Sequence, residues 1–203
     1  MPVHQISRST APLPRTYWVV DGLFLAGAYA GKPETRASKE RLSGMFNAGI
    51  RTFVNLMEEN ESNNVGTPFV RYDDLLQTIA SDANERVECL RFPIVDGHIT
   101  THERMRSILD TIDGSLEKKR PVYVHCFGGI GRTGTVVCCW LLRHGYATKE
   151  NVFDVLTKLR KADTERSSRK APENDTQNQF VLSWAERQDA EGKIKPKPGS
   201  IRR

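Results

Sequence analysis

The sequence predicts an α/β fold, a mainly parallel central sheet with helices on both faces. Short β-branched runs alternate along the chain with segments whose apolar residues recur at spacings of three and four. One of those runs, residues 121–125, passes through a glycine-rich loop directly into an apolar helical segment. That connection places a ligand loop at the carboxyl edge of a central strand, where open α/β sheets bind their ligands. At 203 residues with 38% hydrophobic and 27% charged content, the chain fits one soluble globular domain with tails.

Residues 1–15 carry three prolines and no periodicity and are expected to be a disordered arm. Residues 16–189 form the domain. Residues 17–20 and 23–26 flank the turn pair Asp21-Gly22, which predicts a hairpin. A loop rich in Ala and Gly leads to a helix from Pro33 to about Asn47, with Leu42, Met45 and Phe46 inward. Residues 50–57 (IRTFVNLM) are a strand, and 58–67 a polar surface loop. A helix within 69–83 presents Leu75, Leu76 and Ile79; residues 87–93 are a strand and 94–100 a loop. Residues 102–116 are a helix with Met105, Ile108, Leu109 and Ile112 inward, and Asp110 and Asp113 on its polar face. After strand 121–125 come the helix 132–144, stopped by Gly145, and a helix 148–161 capped by Thr148. Residues 162–171 are polar and basic, and 175–187 are the last helix, with Phe180, Val181 and Trp184 as its apolar stripe.

The net charge of +5 invites a nucleic-acid reading. Residues 190–203 alone supply +4, from Lys193, Lys195, Lys197, Arg202 and Arg203 against Glu191. That segment reads as a solvated, disordered basic tail, so nucleic acid is not the expected partner. The longest apolar run in the core, 136–142, is far too short to span a membrane. The N-terminus lacks a signal-peptide pattern. Cys89, Cys126, Cys138 and Cys139 show no disulfide spacing. The expected location is cytoplasmic, where thiols stay reduced.

Residues 122–134 read VYVHCFGGIGRTG. A strand, a glycine turn and a helix N-terminus make an anion site, because backbone N–H groups and the helix dipole converge on it. It is not a nucleotide-binding P-loop, lacking the Gly-Lys-Ser/Thr ending. Cys126 opens the loop and Arg132 closes it, with five residues between them. A thiol of pKa about 8.5 can fall to roughly 3.5–7.5 beside a helix N-terminus and a cation. Arg132 offers a planar fork matching two phosphate oxygens. The N–H groups of Phe127, Gly128, Gly129, Ile130, Gly131 and Arg132 are placed to hold the rest. Phosphorus then faces the Cys126 sulfur, and in-line attack gives a cysteinyl-phosphate. The Thr133 hydroxyl is placed to hydrogen-bond the sulfur and help it leave.

HCFGGIGRT resembles the His-Cys-x5-Arg-Ser/Thr signature of cysteine-based protein tyrosine phosphatases, and the surrounding text resembles their small dual-specificity-like branch, from about Trp18 to about Gln188. The resemblance implies a protein tyrosine phosphatase-like fold and a metal-free, cofactor-free phosphomonoesterase acting on phosphorylated protein. It also implies an aspartate on a mobile loop about thirty residues before the cysteine, which protonates the leaving oxygen and later activates water. Asp96, followed by Gly97, holds that place; an Asp-Gly turn is the competing explanation. His98 is a rival acid or substrate contact, and His102 a helix-start residue. His125 is expected to hold the loop rather than carry protons. Residues 172–177 (PENDTQ) resemble a Pro-Glu-Thr-x-x-Gln pattern in which the glutamine positions hydrolytic water, with Asn174 in place of threonine. Gln177 is that residue, with Gln179 as the alternative register. Arg166, Arg169 and Lys170 read either as a solvated loop or as a rim that attracts acidic substrates. A disulfide between Cys89 and Cys126 is a further alternative. Phosphotyrosine is the leading substrate, with phosphoserine and phosphothreonine beside it. Phosphoinositide or RNA 5′-phosphate, or phosphoprotein binding without turnover, are the alternatives.

Overall fold

The computed structural model describes residue 7 and residues 9–63 and 65–185. Strand β1 (Thr16–Val20) turns at Asp21-Gly22, where Gly22 takes φ +67°, and pairs antiparallel with β2 (Phe24–Gly27). Strands β3 (Thr52–Asn55), β4 (Glu88–Arg91) and β5 (Val122–His125) complete one sheet in the order β1-β2-β5-β3-β4. All pairings after the hairpin are parallel, so the sheet is mainly parallel with one antiparallel edge, as the alternation of elements predicts.

Strand β5 lies at the centre and all four of its residues are buried. Its period of two sorts them. Val122 and Val124 join a core that also holds Val54, Ile108, Ile112 and Val137. Tyr123 joins a second core with Phe53, Leu42, Met45 and Leu76. Helices α1 (Thr35–Asn47) and α2 (Asp73–Asp82) therefore cover one face. Helices α3 (His102–Glu117), α4 (Gly131–Arg143), α5 (Val152–Arg160) and α6 (Asp175–Ser183) cover the other.

Helix α4 is buried from Gly131 through Leu141. It ends where Gly145, at φ +69°, lets Tyr146 N–H reach Leu141 O and Gly145 N–H reach Leu142 O. Asp113 corrects the sequence reading. It is fully buried rather than on a polar face, and its carboxylate accepts from Trp140 Nε1 at 2.9 Å and pairs with His144 and Arg143, riveting α3 to α4. A helical-period count cannot foresee a buried acid whose partners lie some thirty residues away.

Three boundaries differ from expectation. Helix α5 begins at Val152, after a turn in which Thr148 N–H donates to Asn151 Oδ1. Helix α6 stops at Ser183, because Trp184 turns extended at ψ 123° to keep its indole in the core. Leu13 and Pro14 belong to the fold rather than to an arm: Leu13 packs on the α1 core, and Pro14 O accepts from buried Arg41 Nη1 at 2.9 Å. Residues 1–6 and the basic tail 190–203 lie outside the described residues. Among the described residues, no helix is long and apolar enough to cross a membrane.

Candidate active site

Parallel register sets the site. Gly27 of β2 and Asn55 of β3 both stand level with His125, so the loops that follow these strands share one edge with the loop after β5. Tyr29 N–H donates to Phe127 O at 3.1 Å, tying two of those loops together. Gly129 has φ +72°, and a Cβ there would lie 2.5 Å from the Gly27 carbonyl carbon. Only glycine fits both the conformation and the approach. That bend turns Gly129 N–H onto Cys126 Sγ at 3.3 Å. Cys126 thus sits buried in the loop, 2% exposed. At Gly131 a Cβ would meet the Gln177 amide at 2.9 Å, so this glycine is the packing contact between loop and α6.

Arg132 is buried, and its guanidinium is held on several sides. Nη1 and Nη2 donate to the two carboxylate oxygens of Glu61, each at 2.7 Å. Nη1 also donates to Ile94 O at 2.9 Å, and Nη2 pairs with Asp96 Oδ1 at 2.7 Å. Nε is buried and has no hydrogen-bond partner among the described residues. Burial alone would lower the guanidinium's pKa. The Glu61 hydrogen bond, with the charges of Cys126, Glu61 and Asp96, outweighs it and raises the value above its usual range.

His125 is fully buried on the α2 side of the sheet. Its Nε2 lies 2.7 Å from Tyr72 Oη and its Nδ1 3.3 Å from Cys126 O. One tautomer satisfies both: Nδ1–H donates to the carbonyl and Nε2 accepts from the Tyr72 hydroxyl. Burial drives its pKa down to about 3, with the Arg41, Arg91 and Arg132 charges adding to it against the hydrogen bond to Cys126. The imidazole is therefore neutral in the working range and braces the loop. Stability follows. Unfolded His125 takes a proton as pH falls through 6.5 and the folded form does not until about 3. Stability should fall by about 1.4 kcal/mol per pH unit in that window. Urea unfolding at pH 7 and pH 5 should show roughly 2 kcal/mol of loss that His125→Gln removes. An unchanged pH slope in the variant would refute the assignment.

Asp96 is 60% exposed at its side chain and rests on Arg132 Nη2, beside Gly97 at φ +72°. His98 Nδ1 lies 2.8 Å from Asp96 O, and His98 O accepts from Gln177 Nε2 at 3.3 Å, so His98 shapes this loop. Gln177 is fully buried, with Oε1 accepting from Glu173 N–H at 2.9 Å. Asn174 caps α6 through Oδ1 and donates from Nδ2 to Gly97 O at 2.8 Å. The departure from threonine thus makes a direct link between α6 and the Asp96 loop. His102 lies at the start of α3 with its ring on Phe180 and Trp184. Gln179 lines an open groove with His102 and Ser183, away from the loop residues. The hydrogen bond expected from Thr133 to the sulfur gives way to another: its hydroxyl donates to Gly27 O at 3.4 Å.

Glu61 and Tyr72 were not legible as site residues. Glu61 falls in a polar stretch read as surface loop, yet it makes the bidentate pair with Arg132 and is only 10% exposed at its side chain. Tyr72 opens α2 and looks like an ordinary core aromatic. Arg169 and Lys170 pair with Glu173 and Asp175 at the surface, whereas Arg166 Nη1 lies 3.3 Å from where a Gly128 Cβ would stand. Cys89 stands level with Phe53, and Phe53 with Tyr123. It is therefore two strands across and three residues back from Cys126, roughly 14 Å, beyond disulfide reach. Burial pushes the Cys89 thiol up to about 12, and burial also raises Cys138, which sits with Cys139 in the core.

A cysteine and an arginine at the two ends of a glycine loop, between a central parallel strand and a buried helix, define the cysteine-based phosphatase class. The model of one of its families, described as PTP-SAK, Swiss Army Knife protein, DSP-PTPase phosphatase domain, matches residues 14–182, and the chain belongs to that family. It is 29% identical over 158 residues to the "Putative tyrosine phosphatase 067L" of Invertebrate iridescent virus 3, covering 72% of this chain and 58% of that one. It is 34% identical over 99 residues to the "Uncharacterized protein MJ0215" of Methanocaldococcus jannaschii, covering 49% of this chain and 56% of that one. The chain thus spans little more than half the length of these curated relatives. Among solved structures, the active form of Tk-PTP shares the fold with a TM-score of 0.58 at 23% identity, over 83% of this chain and 94% of that one. Kinase associated phosphatase shares it with a TM-score of 0.61 at 20% identity, over 78% and 83%.

Proposed function

We propose that this chain is a cysteine-dependent phosphomonoesterase acting on phosphotyrosine in proteins, with phosphoserine and phosphothreonine as secondary substrates. The observation that carries the reading is the state of Arg132. Glu61 holds the outer pair of nitrogens, leaving the buried Nε–H without a partner and Nη2 shared with Asp96. Nε and Nη2 form the side of the guanidinium that takes two oxygens of one phosphate. The Asp96 carboxylate oxygen on Nη2 stands where a phosphate oxygen would bind.

On binding, phosphate displaces Asp96 from Nη2, and the exposed side chain swings about Gly97 towards the leaving oxygen. The Cys126 sulfur attacks phosphorus, the S–P bond forms as the P–O bond breaks, and the Asp96 carboxyl gives its proton to the leaving oxygen. The Asp96 carboxylate then takes a proton from water, the water oxygen attacks phosphorus, and the P–S bond breaks to return the thiolate and phosphate. Loop N–H groups and Arg132 hold the equatorial oxygens in both steps. In this reading the amide of buried Gln177, which packs against Gly131, orients the water. Thr133 stabilises the loop through Gly27 O.

Protein substrate is favoured over phosphoinositide because residues 127–131 include no cation to meet extra phosphates. A catalytic thiol suits a reducing compartment, the ground for a cytoplasmic location. The test is hydrolysis of aryl phosphates differing in leaving group. Asp96→Asn should cut kcat by about 100- to 10,000-fold on phenyl phosphate and far less on an activated nitrophenyl ester. Equal losses on both would remove Asp96 as the acid. An inactive wild type that still binds phosphotyrosine peptides would replace the enzyme reading with a binding module.

A further inference from the structure

The turn that carries Asp96 is pinned at both ends. At its start Ile94 is buried, its N–H donates to Leu56 O at 3.0 Å, and its carbonyl accepts from Arg132 Nη1 at 2.9 Å. At its end two side-chain amides of α6 hold the backbone. Asn174 Nδ2 donates to Gly97 O at 2.8 Å, and Gln177 Nε2 to His98 O at 3.3 Å. Between these anchors the turn closes on itself. His98 N–H donates to Val95 O at 3.0 Å, and His98 Nδ1–H donates to Asp96 O at 2.8 Å, since a carbonyl can only accept. Val95, Asp96, His98 and Ile99 are all exposed, so hydrogen bonds rather than side-chain packing fix this stretch.

Asn174 does two things at once. Its Oδ1 accepts from Gln177 N–H at 3.0 Å, which caps α6, while Nδ2 reaches across to Gly97. One orientation of the amide serves both, because the N–H needs an acceptor and the carbonyl a donor. A serine or threonine hydroxyl caps a helix too, but it is one atom shorter and leaves Gly97 O without its donor. The two amides that hold the turn are unequal. The Gln177 bond is the longer, and in the proposed mechanism that side chain turns to the hydrolytic water. The hold that lasts through both steps therefore falls to Asn174.

We propose that Asn174 is a positioning residue for the general acid. Its amide fixes the far end of the Asp96 turn, and Arg132 Nη1 keeps the near end when phosphate takes Nη2. The Asp96 carboxyl then reaches the leaving oxygen by rotation at Gly97 and within its own side chain, without reordering of the turn at each turnover. The proposal rests on the phosphatase reading with Asp96 as the acid.

The test uses Asn174→Ser and Asn174→Thr, which keep a capping oxygen. It reads kcat/KM, which covers the steps through departure of the leaving group and so excludes the water step in which Gln177 acts. On phenyl phosphate both variants should lose roughly 3- to 10-fold, the worth of one hydrogen bond, and on an activated nitrophenyl ester less than about twofold. In the Asp96→Asn background the same substitutions should change kcat/KM on phenyl phosphate by less than about twofold, because they act through Asp96. Equal losses on the two esters, an undiminished loss in the Asp96→Asn background, or no loss at all would overturn the proposal and leave the phosphatase reading intact. Amide exchange supplies an arm independent of turnover. The His98 amide should exchange roughly 3- to 10-fold faster in Asn174→Ser, while the Phe180 and Val181 amides of α6 keep their wild-type rates. That result supports the tether even where the wild type hydrolyses nothing, an outcome that would sink only the phosphatase reading. Unchanged His98 exchange would overturn the tether itself.

Discussion

Cys126→Ser is expected to lower phosphatase turnover by about 10,000-fold or more while leaving phosphopeptide binding within a few-fold of wild type. The loss is large because the site offers no means of activating a hydroxyl. The nearest imidazole, His125, is neutral and commits both nitrogens elsewhere, to Tyr72 Oη and to the Cys126 carbonyl. It cannot take a proton from a serine Oγ as a histidine does in a serine hydrolase. A thiol depends far less on such a base, because sulfur is intrinsically the stronger nucleophile. In the proposed mechanism the phosphate contacts belong to the backbone and to Arg132, and serine leaves them in place. Single-turnover hydrolysis and calorimetric binding of one phosphotyrosine peptide check both halves. Residual turnover within tenfold of wild type would exclude Cys126 as nucleophile, and loss of binding in a folded variant would mean that the thiol itself holds the ligand.

The parts of the molecule that were readable are those written in local pattern. The β-branched run ahead of Cys126, the glycines after it and the apolar spacing of α3 and α4 are short-range signals, and a mainly parallel sheet covered by helices follows from them. The same holds for the positions of Cys126 and Arg132, which one loop fixes. What escaped depends on distant segments meeting. Glu61 reaches Arg132 across 71 positions, Tyr72 reaches His125 across 53, and Asp113 draws its partners from another helix. No periodicity encodes such pairs, and a polar residue in a polar stretch gives no sign that it will be buried. A cavity beside Phe127 is of this kind too, since the cations that line it, Arg15, Lys32, Arg41 and Arg166, come from four separate segments. Arg166 was visible as a candidate only within a run with Arg169 and Lys170, whose charges the structure pairs off at the surface.

Arg132→Lys should lower kcat/KM by about 100- to 10,000-fold and destabilise the fold by roughly 3 kcal/mol, two effects with different origins. The activity loss comes from replacing a planar fork with a single ammonium, which cannot hold two phosphate oxygens in the plane that Nε and Nη2 define. The stability loss comes from Glu61. Its carboxylate is nearly buried and both oxygens depend on Arg132, so a lysine that meets only one leaves a desolvated charge poorly paired. The effects separate by removing that charge. Arg132→Lys combined with Glu61→Gln should recover more than half of the lost stability in urea unfolding, yet leave kcat/KM as low as in the single variant. Glu61→Gln alone should lower kcat/KM by about tenfold, because the guanidinium keeps its charge but loses the fork that fixes its orientation. Activity restored by the second substitution would mean that Glu61, rather than the missing fork, was the obstacle to phosphate in the Arg132→Lys protein.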